Sequence, residues 1–116
     1  MTLLNRDAIL AVQDLHFEDV QVDEWGGSVR VRVMTGAERD SFGSSLIGAD
    51  GKPSPDGYKA KLVARCLVDE GGNRMFSDAE VALLASKSAA ALDRVFAVAD
   101  RLNAVSSQSV DAAEKN

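Results

Sequence analysis

The sequence predicts an α+β domain in which a small antiparallel β-hairpin sheet packs against four to five α-helices. Three observations carry this. Val20, Val22, Val29, Val31 and Val33 alternate with polar residues on either side of Gly26-Gly27, the period of a strand with one wet face. Thr35-Gly36-Ala37-Glu38 and Ser77-Asp78-Ala79-Glu80 have the Ser/Thr-x-x-Glu form of a capping box, which starts a helix. Ala91, Leu92, Val95, Phe96, Val98, Ala99 and Leu102 make a broad apolar stripe at helical spacing.

Taken in order, Leu3, Leu4, Ala8, Ile9 and Val12 fall near helical spacing, so residues 3–13 form a short helix with Thr2 or Asn5 as its cap. The hairpin follows. Paired glycines supply the positive φ angles of a two-residue turn, and closing the chain at Gly26-Gly27 sets Asp23 opposite Arg30, Val22 opposite Val31 and Val20 opposite Val33. The valines then share a face, and Asp23 with Arg30 forms an opposite-charge cross-strand pair that selects register. Thr35 opens a second helix with Ala37, Phe42 and Leu46 on its less polar side. Residues 48–57 hold both prolines and three glycines and form a loop. A third helix runs from about Tyr58 to Leu67, burying Leu62, Val63, Cys66 and Leu67. Residues 67–76 form a minimal hairpin or turn around Gly71-Gly72, with Val68 and Met75-Phe76 as apolar clasps. Ser77 opens a helix through about Ala85, and Ser86 or Ser88 caps the longest helix, near residues 87–103, with Asn103 as its stop. One domain therefore spans residues 1–105, and the polar tail 106–116 either begins another helix or frays.

Composition limits function. With 13 Lys and Arg against 18 Asp and Glu, the net charge of −5 argues against non-specific nucleic-acid binding, which needs a cationic surface. It leaves basic protein surfaces as plausible partners. No apolar run approaches the length of a membrane span, and no basic-then-apolar signal segment opens the sequence. A single cysteine makes no internal disulfide, so a reducing cytoplasm is the expected setting.

Site chemistry is sparse. His16 is the sole histidine and has no sequence-evident partner to make it a general base or a zinc ligand. Cys66 lies on an apolar helix side, where a thiol fills the core. The acidic turns at Asp50-Gly51, Asp56-Gly57 and residues 69–73 lack the alternating oxygen ligands and closing glutamate of a calcium loop. The two Gly-Gly pairs lack the helix setting and the lysine of a phosphate cradle. No enzyme, cofactor or metal is expected.

The candidate partner-binding residues are Trp25, Arg30, Arg32 and Phe96. Trp25 either covers the valine face or anchors an interface, tryptophan being enriched among binding hot spots. Arg30 and Arg32 are either a solvated strand face or an exposed charged edge, because a two-stranded sheet leaves both edges unpaired. Phe96, with Leu92 and Ala99, either packs the core or lines a groove for a partner helix, and the core reading leads.

The run Asp19-Val20-x-Val22-x-Glu24-Trp25-Gly26-Gly27-x-Val29-x-Val31-Arg32, followed by Thr35-Gly36-x-Glu38-Arg39-Asp40-x-Phe42, resembles the tail assembly chaperones of siphovirus-type bacteriophages. Residues 64–78, with Arg65-Cys66-Leu67-Val68-Asp69-Glu70 and Phe76-Ser77-Asp78, and residues 92–103, with Leu92-Asp93-Arg94-x-Phe96, fit the same pattern. Asp23 departs from it, standing where proline precedes Glu-Trp in many relatives. The resemblance covers about residues 3–110 and rests on the ordered combination, not on one diagnostic motif.

It implies a protein of the host bacterial cytoplasm that coats and solubilises the tape-measure protein, helps recruit tail-tube subunits, and is absent from the mature virion. It also implies self-association in some members, and a longer form made by ribosomal frameshifting that carries the tail-tube contact. Glu114-Lys115-Asn116 is compatible with a slippery A-AAA-AAC heptamer. The alternative is a structural protein of the tail or head–tail connector. A small nucleic-acid-binding regulator is weaker still, given the acidity of the chain.

Overall fold

A computed structural model describes residues 2–104; the tail 106–116, with Glu114-Lys115-Asn116, lies outside the described residues. The sheet is built on β1 (Phe17–Val22) and β2 (Gly27–Arg32), which pair antiparallel with Val20 opposite Val29 and Asp19 opposite Arg30. This corrects the expected register. Asp23–Trp25 form a 3-10 turn closed by Gly26 at φ 75°, so only Gly26 uses the left-handed region and Gly27 already faces Val22 across the ladder. The longer turn lets Trp25 fold back against the core, and it lets the Glu24 carboxylate take two hydrogen bonds from Arg94, 70 residues away. Because the slip moves pairing by an even number of residues, the valines keep their face. Val22 and Val31 are fully buried.

A third strand, β3 (Leu67–Val68), corrects the two-stranded expectation: it pairs with β2 through Arg30–Val68 and Val31–Leu67. The strand order β1-β2-β3 makes β2 central. The unpaired edge expected at Arg30 is therefore absent, since β2 has a neighbour on each side there, whereas Arg32 is paired with β1 alone. The expected hairpin over residues 67–76 survives as the bridge Val68–Arg74, with the Met75 N–H donating to the Leu67 carbonyl at 3.1 Å. Asp69 holds its turn: Oδ1 accepts the N–H groups of Gly71 and Asn73 at 2.9 and 3.0 Å.

Among the described residues there are five α-helices. α1 (Arg6–Ala11) is shorter than expected and buries nothing, although Asn5 caps it as anticipated. α2 (Gly36–Ser45) begins at the Thr35–Glu38 capping box, with both reciprocal bonds made, at 3.1 and 2.8 Å. α3 (Tyr58–Cys66) buries Ala60, Leu62, Val63, Ala64, Arg65 and Cys66. The second capping box yields a 3-10 turn, Asp78–Glu80, before α4 (Val81–Ala85), where one continuous helix was expected. α5 (Ala89–Asn103) is capped by Ser88 and buries Ala91, Leu92, Val95, Ala99 and Asn103.

α3 and α5 pack against each other and against the sheet, which places the core between them and the valines. Leu62, fully buried, is the kind of side chain whose truncation to alanine costs about 2–5 kcal/mol. A buried cation also sits in this layer. The guanidinium of Arg65, 5% exposed, donates to the Glu38 and Ser41 carbonyls of α2 and to Asp78 Oδ2 at 3.0 Å. Arg74 donates to the other Asp78 oxygen at 3.0 Å, so one carboxylate joins α3, the 67–76 hairpin and the start of α4.

These contacts set an acid limit. The hydrogen bond from Arg74, aided by Arg65, holds the Asp78 carboxyl below its ordinary value; Arg30 does so for Asp19, Arg94 for Glu24, and the Ser77 backbone N–H for Glu80. A carboxylate whose folded pKa is depressed contributes stability that is complete above its unfolded value and lost as pH falls through the folded one. The melting temperature should hold steady above about pH 5 and fall below about pH 4, with a shallower fall in Asp78→Asn. Thermal melts across that range check it; a melting temperature unchanged at about pH 3 would contradict it.

Candidate functional site

The described part of the molecule offers little for covalent chemistry. Cys66 is 1% exposed, and burial pushes its thiol up to about 12, against which the hydrogen bond from Asn103 acts only weakly. A thiol held protonated in the core is not a nucleophile. His16 stands before β1 and contributes its main-chain carbonyl to the ladder, accepting from the Val33 N–H at 2.9 Å. Among the described residues no group of three or more His, Cys, Asp or Glu side chains could hold a metal ion, and no helix is long and apolar enough to cross a membrane.

What the fold does build is a groove. Before Arg30, β2 has no partner on its β3 side, so its first residues, 27–29, pair with β1 alone. Trp25, Val29, Leu67, Met75, Phe76 and Leu84 line a depression of about 350 Å³ there. Glu24 and Lys87 complete the lining with opposite charges. Each side chain arrives for a local reason. The 3-10 turn folds Trp25 inward, the Asp69–Asn73 turn returns Met75 and Phe76 alongside Leu67, and the capping-box turn presents Leu84 from α4. Met75 is 49% exposed, so this apolar wall is open to solvent. A second depression of about 320 Å³ adjoins the first, sharing Val29 and Met75, and is lined by Asp19, Arg30 and Glu70. An apolar trough with charged residues along its flank suits the apolar stripe of a helix or an extended segment.

The four candidate residues fare differently. Trp25 is partly buried: it covers core residues and also faces the groove. Arg30 lies on the outer face of the sheet, bonded to both Asp19 oxygens at 2.8 and 3.0 Å and stacked 4.0 Å above the Phe17 ring. Arg32 lies on the same face, two residues on, and is less exposed. It donates to both Glu38 oxygens at 2.9 and 3.0 Å and to the Gly72 carbonyl at 3.3 Å, which ties β2 to the capping box of α2. Phe96 belongs to an aromatic row with Tyr58 and Phe42, successive ring centroids 5.8 Å apart, and does not line the groove. Trp25 and Arg30 thus stand on adjoining depressions, Arg32 both ties β2 to α2 and lines a further depression beside Arg30, and Phe96 braces the scaffold.

Sequence reasoning missed Met75, Phe76 and Leu84 as groove residues. The signal for the first two was present: an apolar pair directly after a Gly-Gly turn, with no helical or strand period of its own to place it in the core.

No family model matches this chain, and no curated protein matches it. Among solved structures, the chain is similar to the tail assembly chaperone of bacteriophage HK97, with a TM-score of 0.52 at 18% identity. The match covers 77% of this chain and 87% of that one. The two share a fold.

Proposed function

We propose that this chain is a tail assembly chaperone of a siphovirus-type bacteriophage, working in the host cytoplasm. The single observation that carries the reading is the shared fold with the HK97 chaperone, which spans most of both chains and coincides with the ordered resemblance along residues 3–110. The partner it fits best is the tape-measure protein, a long helical chain whose apolar stripe would aggregate if left uncovered. The Trp25–Met75–Phe76 trough receives that stripe, and the acidic body of the domain keeps the complex in solution. Tail-tube subunits are recruited to the coated tape measure through a longer, frameshifted form of the chain.

Co-expression tests this. The tape-measure protein encoded beside this gene should be insoluble alone and soluble with this chain, and the pair should co-purify. A tape measure equally insoluble with and without the chain would overturn the reading. Mass spectrometry of purified virions separates the alternative, since abundant copies in mature particles would make the chain a structural tail or connector protein.

A further inference from the structure

The open edge of β2 has a direction and a chemistry of its own. The Val33 N–H donates to the His16 carbonyl, so the odd-numbered residues of β2 turn their main-chain groups toward β1. Arg30 turns its own toward Val68 of β3. Ser28, two residues earlier and exposed, therefore turns its N–H and C=O the same way, where no strand meets them among the described residues. Continuing the β3 register would set Glu70 opposite Ser28, but Asp69 diverts the chain first. Its Oδ1 accepts the Gly71 and Asn73 N–H groups, and its carbonyl accepts that of Gly72 at 3.0 Å. The ladder position left open adjoins both depressions, which meet at Val29 and Met75. Trp25, Phe76 and Leu84 line the one on the core face; Asp19, Arg30 and Glu70 line the one on the outer face.

We infer that this edge receives an extended segment of a partner protein as an added strand, with apolar side chains toward the core face and basic ones toward the outer face. Main-chain bonds to Ser28 hold such a strand, and pockets for alternate side chains select it. The residue paired with Ser28 shares the outer face with Ser28 and Arg30, and its neighbours along the strand point the other way, into the Trp25 depression. Charge chooses what sits on each face. Arg30 is already bonded to Asp19, whereas Asp69 and Glu70, both exposed, make no ion pair among the described residues. Two carboxylates thus stand uncompensated on the outer side, and the chain's charge of −5 adds to their pull on a cation. On the core face Glu24 is bound by Arg94 and Lys87 repels a cation, so an apolar side chain fits there. The inference does not rest on the proposed function. An added strand and a helical stripe both use the Trp25 wall, so each excludes the other.

The test uses a short acetylated and amidated peptide that alternates valine with lysine, titrated into the full chain and followed by the emission of Trp25, the only tryptophan. Binding should saturate, with a Kd below about 1 mM. The residues that bond Ser28 are the lysines, so methylating their main-chain nitrogens should weaken binding about tenfold or more. Methylating the valine nitrogens, which point away from β2, should leave binding near that of the parent peptide. A glutamate-for-lysine peptide should bind the wild type more weakly, and Glu70→Lys, at an exposed position, should narrow that preference. Emission unchanged up to about 1 mM would overturn the inference. So would equal binding by the two methylated peptides, which would mean charge attraction without a strand, or equal loss in both, which would mean a helix in the trough. A chain that ignores the peptide yet solubilises the tape measure removes this inference and leaves the proposed function standing.

Discussion

Replacing Asn103 with alanine should lower the melting temperature by roughly 10–15 °C, a larger effect than any surface change. Asn103 ends α5 and is 7% exposed. Its Oδ1 accepts the Met34 N–H at 2.7 Å, and its Nδ2 donates to the Ala99 carbonyl at 2.9 Å and to Cys66 Sγ at 3.4 Å. One side chain therefore joins α5, α3 and the chain between β2 and α2. Alanine would strand the Met34 N–H, whose residue is itself 6% exposed, at about 1–3 kcal/mol, and would leave a void beside Cys66. The Arg39 bond to the Asn103 carbonyl, at 2.8 Å, involves main chain and would persist, so α5 should keep its end. Asn103→Leu separates the two causes. It restores volume but no acceptor, so it should remain well below wild type. A leucine variant as stable as wild type would show that packing, and not the hydrogen bonds, holds this corner.

Asn103 also marks where the sequence stopped being readable. Its position as a helix stop was legible from local chemistry; its role as a hub was not, because its partners lie 37 and 69 residues away. The same divide runs through the fold. Both capping boxes were legible because cap and partner sit three residues apart. The hairpin register was not, because the choice between a tight Gly-Gly turn and a 3-10 turn was decided by Trp25 finding the core and Glu24 finding Arg94 on α5. Leu67–Val68 stood in the expected 67–76 hairpin, but its pairing with β2 escaped notice, because two residues carry no period and only the waiting edge of β2 makes them its third strand. Arg32 looked like Arg30 in the alternating pattern and shares its face of the sheet, yet the bonds to Glu38 and Gly72 hold it less exposed than Arg30, which is paired only with Asp19. The spacing of Leu3, Leu4, Ile9 and Val12 announced a helix, but nothing local told that it would find no core to cover. Of the groove, Trp25 was visible as an anchor and its companions were not, since three separate turns bring them together.

That groove yields the second large effect. Trp25→Ala should abolish solubilisation of the tape-measure protein and weaken binding about 30-fold or more, as truncation of a tryptophan hot spot costs about 2 kcal/mol or above. Because Trp25 also packs on core residues, this variant should lose some stability as well, though less than Asn103→Ala, since no buried N–H is stranded. Met75→Glu isolates the surface role. Met75 lines the same groove at 49% exposure, so a charge there should leave the melting temperature near wild type while it disfavours an apolar partner. Binding measured by co-purification and melts measured in parallel therefore give two readings of one wall. If Met75→Glu binds as wild type does while Trp25→Ala merely unfolds, Trp25 is a cover for the valine face and the partner sits elsewhere. Loss of binding in both, with a folded Met75→Glu, places the partner against the turn that the longer hairpin created. The expected Gly-Gly turn would have left Trp25 at a strand tip; the slipped register is what sets it beside Met75 and Phe76, so the correction to the fold also builds the site.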